Sequence, residues 1–136
     1  MADNAKVLVI DDDPDMLETT RLFLENRKFQ VITASSAEEG ARQVEEGRPD
    51  VVVLDIMMPE GTEGFHWLWN LRRNPNPAVR DVPVIVVSSI GRAMGMDFEA
   101  GESDETGNYL PAQAFLDKPF DPDELAAKIE AVLRKT

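Results

Sequence analysis

The chain has 136 residues, 43% of them hydrophobic and 29% charged, which is the size and composition of a single globular domain. Its net charge of -12 argues against a broad surface for nucleic acids or anionic membranes, since both need a basic face, but favours a divalent cation. The absence of cysteine excludes disulfides, thiol catalysis and zinc–thiolate sites. No signal peptide is visible and no apolar run approaches the ~20 residues of a membrane span, so we expect one cytoplasmic domain over residues 1–136.

The first predicted strand is the apolar run Val7–Ile10, which leads into three aspartates and Pro14. Asp13 before Pro14 is typical of a helix start, because a carboxylate caps the helix and proline suits its first position. This helix should run to about Lys28. A short, more polar strand at 29–33 then suits the edge of a sheet.

The next helix is predicted at 37–46, with Ser35 or Ser36 as its cap and Gly47 as its end. The small Gly40 on this helix would allow a close approach to the sheet.

The most informative stretch is Val51–Asp55, in which four apolar residues run into one carboxylate. Such a β-branched run predicts a strand buried on both faces, as in a parallel sheet. The charge must lie where the strand leaves the core, and Pro59 prevents the strand from continuing. Because ligands bind at this carboxyl edge of open α/β sheets, we predict that Asp55 is a reactive carboxylate.

A third helix is predicted from about 65 to 73, with Leu68 on its buried side and Trp67 on the opposite, exposed side. The fourth strand covers 83–87 and ends at Ser88. The glycine-rich, acidic segment 91–111 has only weak periodicity.

A short fifth strand, Ala114–Asp117, leads into Lys118 and Pro119. Asp121 then opens the last helix with the same Asp-Pro cap as the first one.

Five alternations of strand and helix predict an α/β fold, a doubly wound parallel sheet with helices on both faces. The polar residues that follow its strands then share one edge, and they are Asp11, Asp12, Asp55, Ser88 and Lys118. Neighbouring carboxylates repel one another unless a cation joins them, and oxygen ligands without histidine or cysteine suit Mg²⁺ or Mn²⁺. A carboxylate, a cation, an ammonium group and a hydroxyl together make a site for phosphoryl transfer. Each of these residues alone would be typical of a turn, a helix cap or a strand end. The prediction depends on all five of them occurring together.

These motifs resemble the receiver domain of two-component response regulators. The matching pieces are Val7–Pro14, Pro49–Asp50, Leu54–Pro59, Pro83–Ser88 and Phe115–Phe120. The resemblance implies a five-stranded sheet with the flavodoxin-like order 2-1-3-4-5. It also implies that a histidine kinase or a phosphotransfer protein supplies the phosphoryl group, and that the domain catalyses its own phosphorylation and dephosphorylation.

By the same resemblance Asp55 is the phosphoacceptor. Asp12 would bind Mg²⁺ directly and Asp11 mainly through water, while the backbone carbonyl of Met57 would complete the protein ligands. Phosphorylation would then change a face that binds a downstream protein or an output domain. Neither the target nor the pathway is visible in the sequence, and a homodimer stays open.

The resemblance also assigns the switch residues. Ser88 takes the position of the switch hydroxyl, Phe115 that of the switch aromatic ring, and Lys118 that of the phosphate-pairing lysine. The bond between Lys118 and Pro119 would be cis. The segment from 89 to 114 departs from the family, because it is longer than usual and does not have the pattern of a normal fourth helix.

Two other functions stay open. An aspartate-nucleophile phosphatase generally needs a second acid two residues after the nucleophile, and this position holds Met57, which counts against it. A docking module that has abandoned phosphorylation could instead bind a partner through segment 91–111. For a receiver, the apolar Met57 and Ile90 beside the path of the attacking water predict slow self-dephosphorylation.

Overall fold

The structure is a computed structural model that describes residues 5–55, 63–88, 114–117 and 120–135. The described strands are β1 Lys6–Ile10, β2 Gln30–Ala34, β3 Val51–Asp55, β4 Val84–Ser88 and β5 Ala114–Asp117. The described helices are α1 Pro14–Asn26, α2 Ala37–Gly47, α3 Glu63–Arg72, α4 Pro77–Arg80 and α5 Pro122–Lys135. None of these helices is both long and apolar enough to cross a bilayer. Residues 89–113, where the sequence does not have the pattern of the family's usual fourth helix, lie outside the described residues.

The five strands form one parallel sheet in the order β2-β1-β3-β4-β5, which confirms the predicted fold. In the register of β1 and β3, Ile10 lies opposite Leu54. The next residues of the two strands, Asp11 and Asp55, therefore reach the carboxyl edge at the same level. The polar β2 lies at one edge of the sheet, as its sequence predicts.

The sheet is buried on both faces, since successive residues of a strand point to opposite sides. On one face Leu8, Ile10, Val52 and Leu54 pack against side chains of α2 and α3. On the other face Val7, Val9, Val51 and Val53 pack against side chains of α1 and α5. This double burial explains why β1 and β3 are uninterrupted apolar runs in the sequence.

The prediction that Trp67 is exposed is wrong. The residue is 6% exposed and belongs to the same core cluster as Leu68 and Leu71. The physical reason is that α3 packs against α2 as well as against the sheet, so the buried arc of α3 is wider than one helical face. Gly40 allows the close approach of α2 to the sheet, because a Cβ built there would lie 2.6 Å from the Ile10 Cδ1, whereas it would lie at an ordinary contact distance of 3.4 Å from the Trp67 Nε1.

The predicted helix starts are confirmed. The Asp13 side chain accepts hydrogen bonds from the backbone N–H groups of Asp15 and Met16, and the Ser36 hydroxyl accepts one from Glu39. At the end of α2 the left-handed residue is Arg48, with φ 48°, so the helix includes Gly47 and ends one residue later than the predicted range of 37–46.

Candidate functional site

Three carboxylates meet at the carboxyl edge of the sheet, as the sequence predicts. Asp11 and Asp12 directly follow β1, and Asp55 is the last residue of β3. One carboxylate oxygen from each residue can be chosen so that all three lie within 4.8 Å of one another. Asp11 and Asp55 are buried, with exposures of 3% and 6%, while Asp12 is exposed to solvent.

The backbone around Asp11 fixes this arrangement. The Asp11 N–H donates to the Ala34 carbonyl over 3.1 Å, which carries the pairing of β1 and β2 one residue past the strand. The Asp13 N–H in turn donates to the Asp11 Oδ1 over 2.9 Å. Asp13 itself caps α1, so the acidic turn is held at both ends before any ligand arrives.

The donor set fits a hard divalent cation. Opposite ligands of a Mg²⁺ ion lie about 4.2 Å apart, because each bond is about 2.1 Å long. The carboxylate oxygens lie within 4.8 Å of one another, so small side-chain rotations would bring them to bonding distance from one ion. The cluster holds oxygen donors alone, which favours Mg²⁺ or Mn²⁺ over softer metals.

A narrow cleft opens from the carboxylates toward α1. Its lining includes Asp11 and Asp55 together with Met16, Thr20 and Phe120. Met16 and Thr20 belong to α1, and the sequence motifs assign neither of them a part in the site. The signal that points to Thr20 is its hydroxyl, because a polar group on an otherwise apolar helix face needs an explanation.

Two further predicted site residues have a described backbone only. Ser88 ends β4 and lies in register with Asp117, one residue past the pair of Asp55 and Val87. Phe115 lies in β5 opposite Val86. Ser88 is therefore in the strand next to that of Asp55, and Phe115 is one strand further away. The roles of their side chains stay predictions.

The remaining predicted positions lie outside the described residues. They are Met57, Ile90, Lys118, Pro119 and the segment 91–111. The metal-binding carbonyl, the phosphate-pairing amine and the cis peptide bond thus stay predictions.

A family model for the response regulator receiver domain matches residues 7–130. The chain belongs to this family, as the sequence motifs predicted. The extent of the match covers all five strands and most of α5.

Individual relatives agree with the family match. The phosphate regulon transcriptional regulatory protein PhoB of Escherichia coli is 32% identical, over 96% of this chain and 52% of PhoB. The response regulator Rre1 of Synechocystis is 34% identical, over 99% of this chain and 54% of Rre1. The chain thus spans about half the length of the curated relatives it matches.

Solved structures agree as well. The receiver domain of a Francisella response regulator superposes with a TM-score of 0.75 at 26% identity, covering 97% of this chain and 98% of that one. A response regulator receiver domain protein from Clostridium thermocellum gives a TM-score of 0.72 at 28% identity, covering 96% and 95% of the two chains.

Proposed function

We propose that this chain is a single phosphoacceptor receiver domain of a two-component system, in which Asp55 takes a phosphoryl group from a histidine kinase or a phosphotransfer protein. The observation that carries the proposal is the meeting of Asp11, Asp12 and Asp55 at the end of the central strand. A buried carboxylate at that position has no packing role, since an apolar residue would fill the same space at a lower desolvation cost.

In the proposed reaction, a carboxylate oxygen of Asp55 attacks the phosphorus of the donor. The bond between phosphorus and the donor's imidazole nitrogen breaks, and an aspartyl acyl phosphate forms. Asp55 is suited to this because β1 and β4 flank its strand and hold its backbone in register. The surrounding core also limits the access of bulk water to the new bond.

Asp11, Asp12 and Asp55 would hold a Mg²⁺ or Mn²⁺ ion, with the Met57 carbonyl as the further ligand that the family implies. When bound, the ion neutralises negative charge on the carboxylates and on the phosphoryl oxygens. Lys118 would provide a second positive charge on the same group.

Phosphorylation would add a charge of about -1.5 to -2 at this edge of the sheet. We infer that Ser88 and Phe115 respond to it, the first by a hydrogen bond to the phosphoryl group and the second by rotation of its ring. Since β5 lies at an edge of the sheet, a shift there would change an accessible face for a protein target or an output domain. The net charge of -12 makes direct DNA binding by this domain unfavourable.

The test is incubation with Mg²⁺ and acetyl phosphate, a small phosphoryl donor, followed by intact-mass measurement. The wild type should gain the mass of one phosphoryl group, and Asp55→Asn should gain none. Asp50→Asn is a matched control, because Asp50 is an exposed carboxylate at the opposite end of β3 that accepts a hydrogen bond from the Lys6 N–H. It should gain the group like the wild type.

Two results would contradict the proposal. Release of phosphate without an adduct would favour a phosphatase. A protein that neither reacts nor gains mass would favour a docking module that does not use phosphorylation.

A further inference from the structure

The described part of the chain buries three polar side chains, and all three line one cleft. They are Asp11, Thr20 and Asp55, with exposures of 3%, 5% and 6%. Asp11 already accepts a hydrogen bond from the Asp13 N–H, and Asp55 also has an interaction partner. Since buried polar groups rarely lack a hydrogen-bond partner, the group that needs an explanation is the third one. Two of them belong to the proposed phosphorylation site, and the third, Thr20, has no assigned role.

Thr20 lies on the buried face of α1, between the core residues Leu17 and Leu24. Among the described residues no hydrogen bond to its hydroxyl is seen, and the hydroxyl oxygen is not one of the fully enclosed polar atoms that lack a partner, so it is open to the cleft. A valine would have the same shape and would avoid the cost of burying a hydroxyl group. Packing alone therefore does not explain a threonine at this position.

The cleft has room for one small polar molecule. Its free volume of about 10 Å³ is close to the minimum that one water molecule occupies in a protein cavity. A buried water needs two to four polar partners, and the Thr20 hydroxyl and the carboxylates of Asp11 and Asp55 can supply them. The other described walls, among them Met16, Val87 and Phe120, have apolar side chains.

We propose that Thr20 holds one ordered water molecule against Asp11 and Asp55, and that this water positions the two carboxylates for Mg²⁺. Thr20 is thus a positioning residue that acts through the water. A water hydrogen bonded to a carboxylate fixes its rotation, and groups of this kind behind metal ligands tune metal affinity. The effect of the water on Mg²⁺ binding rests on the proposed function, whereas the water site itself does not.

The test compares the wild type with Thr20→Val, which keeps the shape and removes the hydroxyl, and with Thr20→Ser, which keeps the hydroxyl. Ordered water is detected in the metal-free proteins by a high-resolution crystal structure and by water–protein nuclear Overhauser effects. Mg²⁺ affinity is measured by calorimetry. We expect the water in the wild type and in Thr20→Ser but not in Thr20→Val, and about tenfold weaker Mg²⁺ binding for Thr20→Val alone.

The wild-type water measurement needs no variant to fold, and absence of the water there would overturn the proposal. Equal Mg²⁺ affinity in wild type and Thr20→Val would overturn the positioning role. If the wild type held the water but bound no Mg²⁺, the proposed function would fail while the water site would stand.

Discussion

Asp12 and Asp13 are adjacent in the sequence but have different surroundings, and this difference predicts separate effects of their variants. Asp12 belongs to the carboxylate cluster and is exposed, so its replacement should remove a proposed metal ligand without loss of packing. Asp12→Asn should weaken Mg²⁺ binding by at least about tenfold, because a charged ligand is lost. Calorimetric titration measures this, and an unchanged affinity would remove Asp12 from the site.

Asp13 provides the matched control. Its side chain accepts hydrogen bonds from Asp15 and Met16 and caps α1. Asp13→Ala should lower the free energy of unfolding by about 1 kcal/mol, the usual cost of losing a cap. Urea denaturation of the metal-free protein measures this loss, while Mg²⁺ affinity should change much less than in Asp12→Asn. A large loss of Mg²⁺ affinity in Asp13→Ala, together with a loss of stability but not of affinity in Asp12→Asn, would contradict both assignments.

The carboxylates of the site could be predicted from the sequence, because each follows an apolar run that can only be a strand. The hydroxyl of Thr20 is a sequence signal, but the role of this residue could not be predicted, because that role depends on a cleft that exists only once α1 packs on the sheet. The prediction that Trp67 is exposed was wrong for a related reason. Its burial depends on the packing of α3 against α2 as well as against the sheet, and a helical wheel of α3 alone does not contain that information.

The end of α1 allows a test at the level of an element. Phe29 N–H donates to the Leu24 carbonyl and Lys28 N–H to the Glu25 carbonyl, and Lys28 has φ 73°. This is the Schellman pattern of helix termination, in which glycine is the preferred residue at the left-handed position. Phe29 and Leu24 are both buried, which completes the hydrophobic contact of the motif.

Lys28→Gly should therefore raise the free energy of unfolding by about 0.5–1 kcal/mol, since a left-handed conformation is costly for residues with a Cβ. Lys28→Ala controls for the loss of charge and should give no such gain, because alanine keeps the Cβ. Chemical denaturation of the three proteins decides between them. An equal gain for alanine and glycine would show that charge, and not backbone conformation, is responsible.

Most elements could be predicted within one or two residues from apolar runs and capping signals, and the short α4 could not. Its four residues are too few for a periodic pattern. Its position also depends on a tertiary contact: the Arg72 guanidinium donates to the carbonyls of Arg80 and Val82 over 2.8 and 2.6 Å. These bonds tie the end of α3 to the residues that lead into β4, and no local sequence pattern indicates them.

The whole domain should become more stable when the site is filled. A ligand that binds only the folded state stabilises it by about 1.4 kcal/mol at ten times its dissociation constant. Wild-type protein in Mg²⁺ at that concentration should gain this amount in urea denaturation, compared with NaCl of matched ionic strength. Asp12→Asn at the same Mg²⁺ concentration should gain much less. An equal gain in both would place the stabilising ion elsewhere.

The topology of the whole molecule follows from its sequence because five buried strands in alternation with helices admit few arrangements. The register of the strands determines which residues lie side by side, and the strand order alone does not. The pairing of Ile10 with Leu54 brings Asp11 level with Asp55, and this alignment turns separate acidic residues into one site.

The most direct measurement locates the phosphoryl group. After reaction with acetyl phosphate, borohydride reduction converts a phosphorylated aspartate to homoserine, which peptide mass spectrometry can assign to a position. We expect homoserine at position 55 when Mg²⁺ is present and little or none when the ion is removed by a chelator. Homoserine at another aspartate, or the same yield at position 55 without a divalent ion, would contradict it.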